Sequence, residues 1–503
     1  MPLLLLLCLI LACLPIEWPA PPYGLGPAGS AALTGSVVIV LLLVAKLFTI
    51  VTETRLARDP RDREVVARAH NLRRLVFFFL NLAGFGLVLA CCGWGYTATS
   101  LLTVDELVLP GAEIFVLAPF LISLIGSWAI FYDAENALHR SIPGVGGPFW
   151  SRLGYVFFLF RYNLLLVFIP VGFTIAQFGT LRVAPGLFGS PWAKLGALAG
   201  LCAFIVLLPS LIPLILALKP MPACKLRDRL EAAARRLRVR YHELYVWDTR
   251  GNLATAMVSG LVPRLRQVVF TDLLLATMTE DEVEGVFGHE VGHVRHGHLL
   301  YYAAFLLLSS LTLLGVYQLL EHADGLAPLP KNTALVLSTV GIGAYLFLAF
   351  GFISRRCERQ ADVFGCKAVS CATPGCLVHG PDTVLAAGGK TICRTGVGTF
   401  VRALERVEEI NGMTRGPLTV APRGLLGRSA GLLRFVGVWL STWQHSTISN
   451  RVTFLRTLAE DPARERRFQR RVTALRWSLL GLLTIGVIVI IVSSGWRSLL
   501  EAV

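Results

Sequence analysis

Residues 280–320 read EDEVEGVFGHEVGHVRHGHLLYYAAFLLLSSLTLLGVYQLL, and this stretch decides what kind of protein the chain makes. It opens on Glu280, Asp281 and Glu282, acidic residues that suit the partial positive charge of a helix N-terminus. The helix then runs into Gly288-His289-Glu290-Val291-Gly292-His293. Side chains four apart stand one turn apart on the same helix face. His289 and His293 can therefore aim ring nitrogens at one Zn²⁺, and Glu290, beside the first, can take a proton from water at the same ion. The second half, 299–320, is apolar and long enough to cross ~30 Å of hydrocarbon. A metal-binding helix thus leads directly into a membrane span. The bland alternative is a histidine-rich helix end meeting lipid headgroups. His296 and His298 do not match the third histidine of the extended metzincin pattern, so they are read as supporting or surface residues.

Working outward, further apolar runs lie at 31–53, 75–95, 110–132, 153–179, 193–218, 332–354 and 475–494. With 299–320 they make eight expected spans. A ninth, shorter run, 2–15, fits a signal peptide, an anchor or a first span. The chain has 503 residues, 54% apolar and only 16% charged, where soluble proteins carry about 25% charged residues. Its net charge of +15 does not point to nucleic acid, because the basic residues sit in alternate loops rather than on one soluble face. Residues 55–74 hold seven arginines, 96–109 hold no Lys or Arg, and 321–331 hold only Lys331. Rich and poor loops alternate as eight spans require, which places the basic side in the cytoplasm. Arg161 and Asn163, inside the 153–179 run, are read as an arginine reaching for the interface rather than a polar pair in a cavity.

The expected fold class is a polytopic α-helical membrane protein with a cytoplasmic α+β zincin (gluzincin-like) domain built from two segments. Residues 1–30 form a signal or anchor segment with an outer loop. Residues 31–218 form a membrane domain, 219–298 the first catalytic segment, 299–354 a two-span hairpin, 355–474 the second catalytic segment, and 475–503 a last span. In the first segment a helix is expected over 223–239, with strands around Tyr241–Val246, Ala254–Val258 and Gln267–Thr271. Asp248–Asn252 reads as a turn and Asp272–Thr279 as a connection.

A catalytic zinc takes three protein ligands and keeps one position open. After the 332–354 run comes Ser354-Arg355-Arg356-Cys357-Glu358-Arg359-Gln360-Ala361-Asp362. Glu358 can reach the ion, and Asp362, four residues on, can hold a ligand histidine's other ring N–H. Taken alone, these residues read better as a charged helix end beyond a span.

Together, HExGH at 289–293, two following spans and SRxxExxAD at 354–362 resemble the membrane zinc metallopeptidases that include the heat-shock protease HtpX and the CAAX prenyl endopeptidases. The resemblance covers 219–460 and implies one Zn²⁺ with Glu358 as third ligand. It adds the run His445-Ser446-Thr447-Ile448-Ser449-Asn450-Arg451, which implies that His445 or Arg451 steadies the oxyanion. Thr255-Ala256-Met257-Val258-Ser259-Gly260 matches the family's edge-strand signature, with Thr255 in place of Asn. The resemblance implies that Ala256, Met257 and Val258 pair with substrate by strand addition. The spans before 219 match neither named subfamily, so the substrate class is read instead from the site's place at the cytoplasmic face beside spans, which points to cleavage of membrane or misfolded polypeptides in protein quality control. The expected setting is a bacterial inner membrane, with polypeptide and lipid as partners. The alternatives are a CAAX-type processing peptidase with a defined substrate, and a non-catalytic scaffold or transporter.

Cys366, Cys371, Cys376, His379 and Cys393 offer a second metal site, but they lack the close CxxC spacing of structural zinc sites and are read instead as unpaired thiols in a loop-rich insertion. Residues 422–444 suit an amphipathic helix at the interface.

Overall fold

The computed structural model describes residues 18–58, 63–104, 107–109, 111–141, 149–184, 186, 190–321, 331–373, 376–379, 383–411 and 446–495. The short run 2–15, the amphipathic segment 422–444 and His445 lie outside them. The chain divides into two compact units, one holding residues 1–204 and the other most of 205–503.

The first unit is helical. Helices α1 (Pro27–Arg58), α2 (Arg63–Cys91) and α3 (Trp94–Leu101) precede a two-stranded hairpin, β1 (Thr103–Val104) and β2 (Leu107–Val108), followed by α4 (Ala112–Arg140). Helices α1, α2 and α4 pack against one another, with Ala45, Phe77 and Phe131 buried between them. Phe78, Phe85, Leu117 and Phe120 fill a second cluster. The 153–179 run is not one regular helix. It forms α5 (Arg152–Leu159), a π-helical turn over Phe160–Leu165, and α6 (Leu166–Val183). Arg161 and Asn163 fall in the π turn, where Asn163 donates to the Leu159 carbonyl at 3.0 Å. A π turn is a local overwide ring that interrupts the regular ladder. Helix α7 (Pro191–Leu207) continues through a 3₁₀ turn into α8 (Ile212–Leu216), the break falling where Pro209 and Pro213 remove backbone donors.

The second unit contains a four-stranded sheet ordered β3 (Lys219–Pro220), β4 (Glu243–Trp247), β6 (Gln267–Thr271), β5 (Ala256–Ser259). Strands β4 and β6 run parallel; the other two pairings are antiparallel. Central β6 is buried along its whole length, whereas β5 is an edge strand and half-buried. Helix α9 (Lys225–Leu237) lays Leu230, Ala234 and Leu237 on a core with Leu244, Val268 and Phe270. The expected connection after β6 is instead a short helix, α10 (Asp272–Thr277). Its Leu274 is buried, and Asp272 accepts hydrogen bonds from Thr249 and Gly251, closing the 248–252 turn.

Helices α11 (Glu280–Arg295), α12 (His298–Glu321), α13 (Lys331–Ala368), α14 (Arg394–Ile410), α15 (Ile448–Glu460) and α16 (Pro462–Ser494) complete the unit. Among the described residues six helical stretches are long and apolar enough to cross a membrane: α1, Val65–Cys91, α4, Pro191–Leu216, Val340–Ala368 and Ala463–Ser493. A shorter apolar stretch, His298–Leu313, belongs to α12. The protein is a multi-pass α-helical membrane protein with an α+β domain.

Candidate metal centre

Helix α11 carries the first donors, and its two ends are set by local chemistry. The Thr279 hydroxyl accepts from the Glu282 N–H while the Glu282 carboxylate accepts from the Thr279 N–H at 3.0 Å, a capping box. The helix stops at Gly297, whose φ of +64° suits a residue without Cβ, and α12 begins at His298.

Two glycines then let α11 and α13 touch at the backbone. A Cβ on Gly288 would stand 2.2 Å from the Ala368 Cβ, and one on Gly292 would stand 3.0 Å from the Ala361 Cα. This close crossing carries the Glu358 turn of α13 to the histidines. His289 Nε2 and His293 Nε2 are 3.3 Å apart. The Glu358 carboxylate oxygens lie 3.8 Å from the former and 3.5 Å from the latter. Tetrahedral Zn²⁺ with bonds of ~2.0–2.1 Å needs donors roughly 3.3–3.5 Å apart. The three side chains therefore fit one small ion and leave a fourth position for water or substrate.

Each histidine has its own brace. His289 Nδ1 faces Asp362 Oδ1 at 3.1 Å, at an angle short of a regular hydrogen bond. Burial alone would lower the His289 pKa, but Asp362 and then Glu358 outweigh it and hold it above the ordinary value. Asp362 is fully buried. Arg451 clasps it with both Nε, 2.8 Å from Oδ2, and Nη2, on Oδ1. The bidentate fork satisfies a carboxylate that would otherwise be a costly buried charge.

His293 is held by a neutral chain instead. Its Nδ1 lies 3.1 Å from His298 Nδ1, and His298 Nε2 lies 3.2 Å from Gln360 Oε1. Gln360 Nε2 donates to Gln469 Oε1 at 2.8 Å, while Arg476 Nη1 reaches Gln360 Oε1 at 3.5 Å. Arginine only donates, so Gln360 Oε1 is an acceptor and His298 Nε2 must carry its proton. His298 Nδ1 is then a lone pair that accepts from His293 Nδ1–H, leaving the His293 Nε2 lone pair free to face a metal. His298 is fully buried. His296 points elsewhere: burial, then the charges of Arg476, Lys367 and Arg295, push it down to about 4. Of the two histidines read alike from sequence, one supports the centre and the other does not.

Glu290 Oε2 accepts the Val258 N–H of β5 at 2.9 Å. The Thr271 N–H bonds the Thr255 carbonyl, so by strand alternation Ala256 and Val258 turn their backbone groups outward and Met257 turns its own toward β6. The expected substrate strand is thus an open edge beside Glu290, with Val258 N–H engaged. Phe400 of α14 stacks on the His289 ring, centroids 5.9 Å apart. Sequence reasoning missed Gln360, Gln469, Arg476 and Phe400, none of which stands at a motif position. Among the described residues the cysteines are unpaired, and the structure gathers Cys371, Cys376 and Cys393 with His379.

Comparison with known proteins agrees with this geometry. Residues 220–376 match the family model described as peptidase family M48. The chain is similar to a CAAX prenyl protease 1 homolog of Oryza sativa subsp. japonica, 24% identical over 192 residues, 35% of this chain and 45% of the relative. It is 29% identical over 171 residues to the Arabidopsis thaliana homolog, covering 31% of this chain and 39% of the relative. It is 30% identical over 177 residues to the probable CAAX prenyl protease 1 of Schizosaccharomyces pombe, 31% of this chain and 35% of the relative. The matches thus span less than half the length of these curated relatives. The crystal structure of S. mikatae Ste24p aligns with 87% of this chain and all of that one, at 14% identity and a TM-score of 0.48. The segment that matches the model of peptidase family M48, residues 220–376, contains His289, Glu290, His293, Glu358 and Asp362.

Proposed function

We propose that this chain is a membrane-embedded zinc endopeptidase, with His289, His293 and Glu358 as the metal ligands and Glu290 as general base. The observation that carries the reading is the 3.3–3.8 Å triangle of donor atoms from two helices, with Glu290 beside it. Zn²⁺ in that triangle supplies Lewis acidity toward a peptide carbonyl and a water acidified toward pKa ~7. Glu290 takes the proton from the attacking water and later hands it to the leaving amine. Its hydrogen bond from Val258 holds the carboxylate against the edge strand along which a peptide would pair through Ala256. Asp362 and His298 fix the two imidazoles so that each presents Nε2. The first task of Arg451 is to hold Asp362; its charge also acts on Glu358 and Glu290. Oxyanion stabilisation is assigned to the same segment, through Arg451 or His445.

Membrane-associated or misfolded polypeptides at the cytoplasmic face are the substrate class this reading favours, because the catalytic segments are themselves basic stretches between spans. The names of the plant and yeast relatives favour a second reading, processing of a defined CAAX-type substrate. Those relatives lend no support to a bacterial inner membrane. The test is purified full-length Glu290→Gln protein assayed beside wild type. It is expected to keep its zinc and lose cleavage of a membrane reporter, and full cleavage by that variant ends the proposal.

A further inference from the structure

Cys371, Cys376, His379 and Cys393 lie apart in sequence but converge in space. Their three sulfurs and one imidazole nitrogen all stand within 4.8 Å of one another, and Cys393 Sγ is 3.3 Å from His379 Nε2. The convergence is built by the backbone. Cys371 bridges Leu385 as an isolated antiparallel pair, and the Ala386 N–H bonds the Ser370 carbonyl at 2.8 Å. The Thr391 hydroxyl donates to the Cys371 carbonyl at 2.9 Å, and the Thr395 hydroxyl donates to the Cys376 carbonyl at 3.1 Å. Cys393 caps α14: its sulfur accepts the Gly396 N–H at 3.2 Å and its own N–H donates to Ser370 Oγ at 3.0 Å. Cys371 and Cys393 are buried, while Cys376 and His379 are half-buried, so an ion can enter from one side.

We propose that these four side chains form a second, structural Zn²⁺ site of the Cys₃His type. Three thiolates and one imidazole complete a tetrahedron with no position left for water, the mark of a structural rather than a catalytic zinc. With Zn–S bonds of ~2.3 Å, a tetrahedron holds its sulfurs roughly 3.8 Å apart, within the observed limit. A polynuclear cluster spreads its donors over several irons and fits these separations poorly. Binding one Zn²⁺ releases the thiol protons to solvent and changes no oxidation state. The backbone N–H that Gly396 directs at Cys393 Sγ favours the thiolate. The site sits at the first turn of α14, the helix whose Phe400 backs the His289 ring. Its zinc would therefore brace a wall of the catalytic centre from outside it.

Co²⁺ substitution of the full-length, detergent-solubilised protein tests this. The His289–His293–Glu358 centre holds no sulfur, so intense near-ultraviolet thiolate-to-Co²⁺ charge transfer reports the second site alone. Wild type is expected to show that absorption and to bind about two zinc ions per chain, one at each site. His293→Ala should keep the absorption and lose one zinc; Cys376→Ser should lose both the absorption and one zinc. Absence of the absorption in wild type overturns the site, whatever the variants do. So does its persistence in Cys376→Ser, or a disulfide among the three cysteines in a non-reducing peptide map of wild type. If wild type shows the absorption but His293→Ala loses no zinc, the peptidase reading fails while the Cys₃His site stands.

Discussion

The His289–His293–Glu358 cluster and the Cys371–Cys376–His379–Cys393 cluster carry their donors in opposite ways. Every donor of the first stands on a regular helix, α11 or α13, with glycine letting the two helices meet. No donor of the second lies inside a helix or strand: one sits in an isolated bridge, two in a loop and one at a helix cap. The first is open and built from nitrogen and oxygen; the second is closed and mostly sulfur. Helix-borne donors inherit their spacing from a repeat of 3.6 residues, so the sequence displays them. Loop-borne donors inherit it from long-range pairing, which leaves no trace in the spacing.

The comparison can be broken or sharpened by substitution, the largest effect first. Glu290→Gln removes the base and leaves the ligands, and is expected to lower kcat by about 10²–10⁴-fold with zinc content unchanged, measured by reporter cleavage and elemental analysis. Gly292→Ala leaves every ligand in place but puts a methyl group 3.0 Å from the Ala361 Cα. If the helix crossing positions the site, activity falls about 10²-fold, as for a misplacement of ~1 Å; an unchanged kcat would show the crossing to be incidental. Asp362→Asn should weaken zinc affinity by about 10–100-fold, read by competition with a chelator. It also strips Arg451 of its countercharge, so thermal unfolding should move down as well. His298→Phe removes the neutral brace on His293 and should cost about tenfold in zinc affinity, less than Asp362→Asn because no buried charge is stranded. Thr279→Ala removes only a helix cap and should cost about 1 kcal/mol of stability with little change in kcat, measured by thermal unfolding and assay.

These residues also show what the sequence could disclose. The strands near 241–246, 254–258 and 267–271 and the helix from Glu280 followed from alternation, turn residues and acidic starts; β6 and the start of α11 fall where expected, and β4 and β5 are shifted by one or two residues. Strand β3 was not legible, because it pairs only two residues, one of them proline. His289, Glu290 and His293 were plain from spacing. Glu358 and Asp362 gained meaning only beside them, since a charged helix end is common and the α11–α13 crossing depends on small residues at 288, 292, 361 and 368. His296 and His298 could not be separated by letters alone. Gly297 between them breaks the helix, and which ring turns inward is settled by the packing of Gln360 and Arg476. The apolar run 153–179 announced a helix but not the π turn at Arg161.

Helix α13 gives the bilayer a part in the chemistry. From Lys331, where α13 begins, Glu358 stands about 40 Å along the axis at 1.5 Å per residue, beyond a hydrocarbon slab of ~30 Å. One helix long and apolar enough to cross the lipid therefore also carries the Glu358 carboxylate that closes the triangle of donor atoms. Tilt or slippage of that helix, as in a bilayer too thick or too thin for it, changes how far Glu358 protrudes toward the two imidazoles. With an ion held in that triangle, lipid chain length would act on the assembly of the site with no change in any residue that lines it.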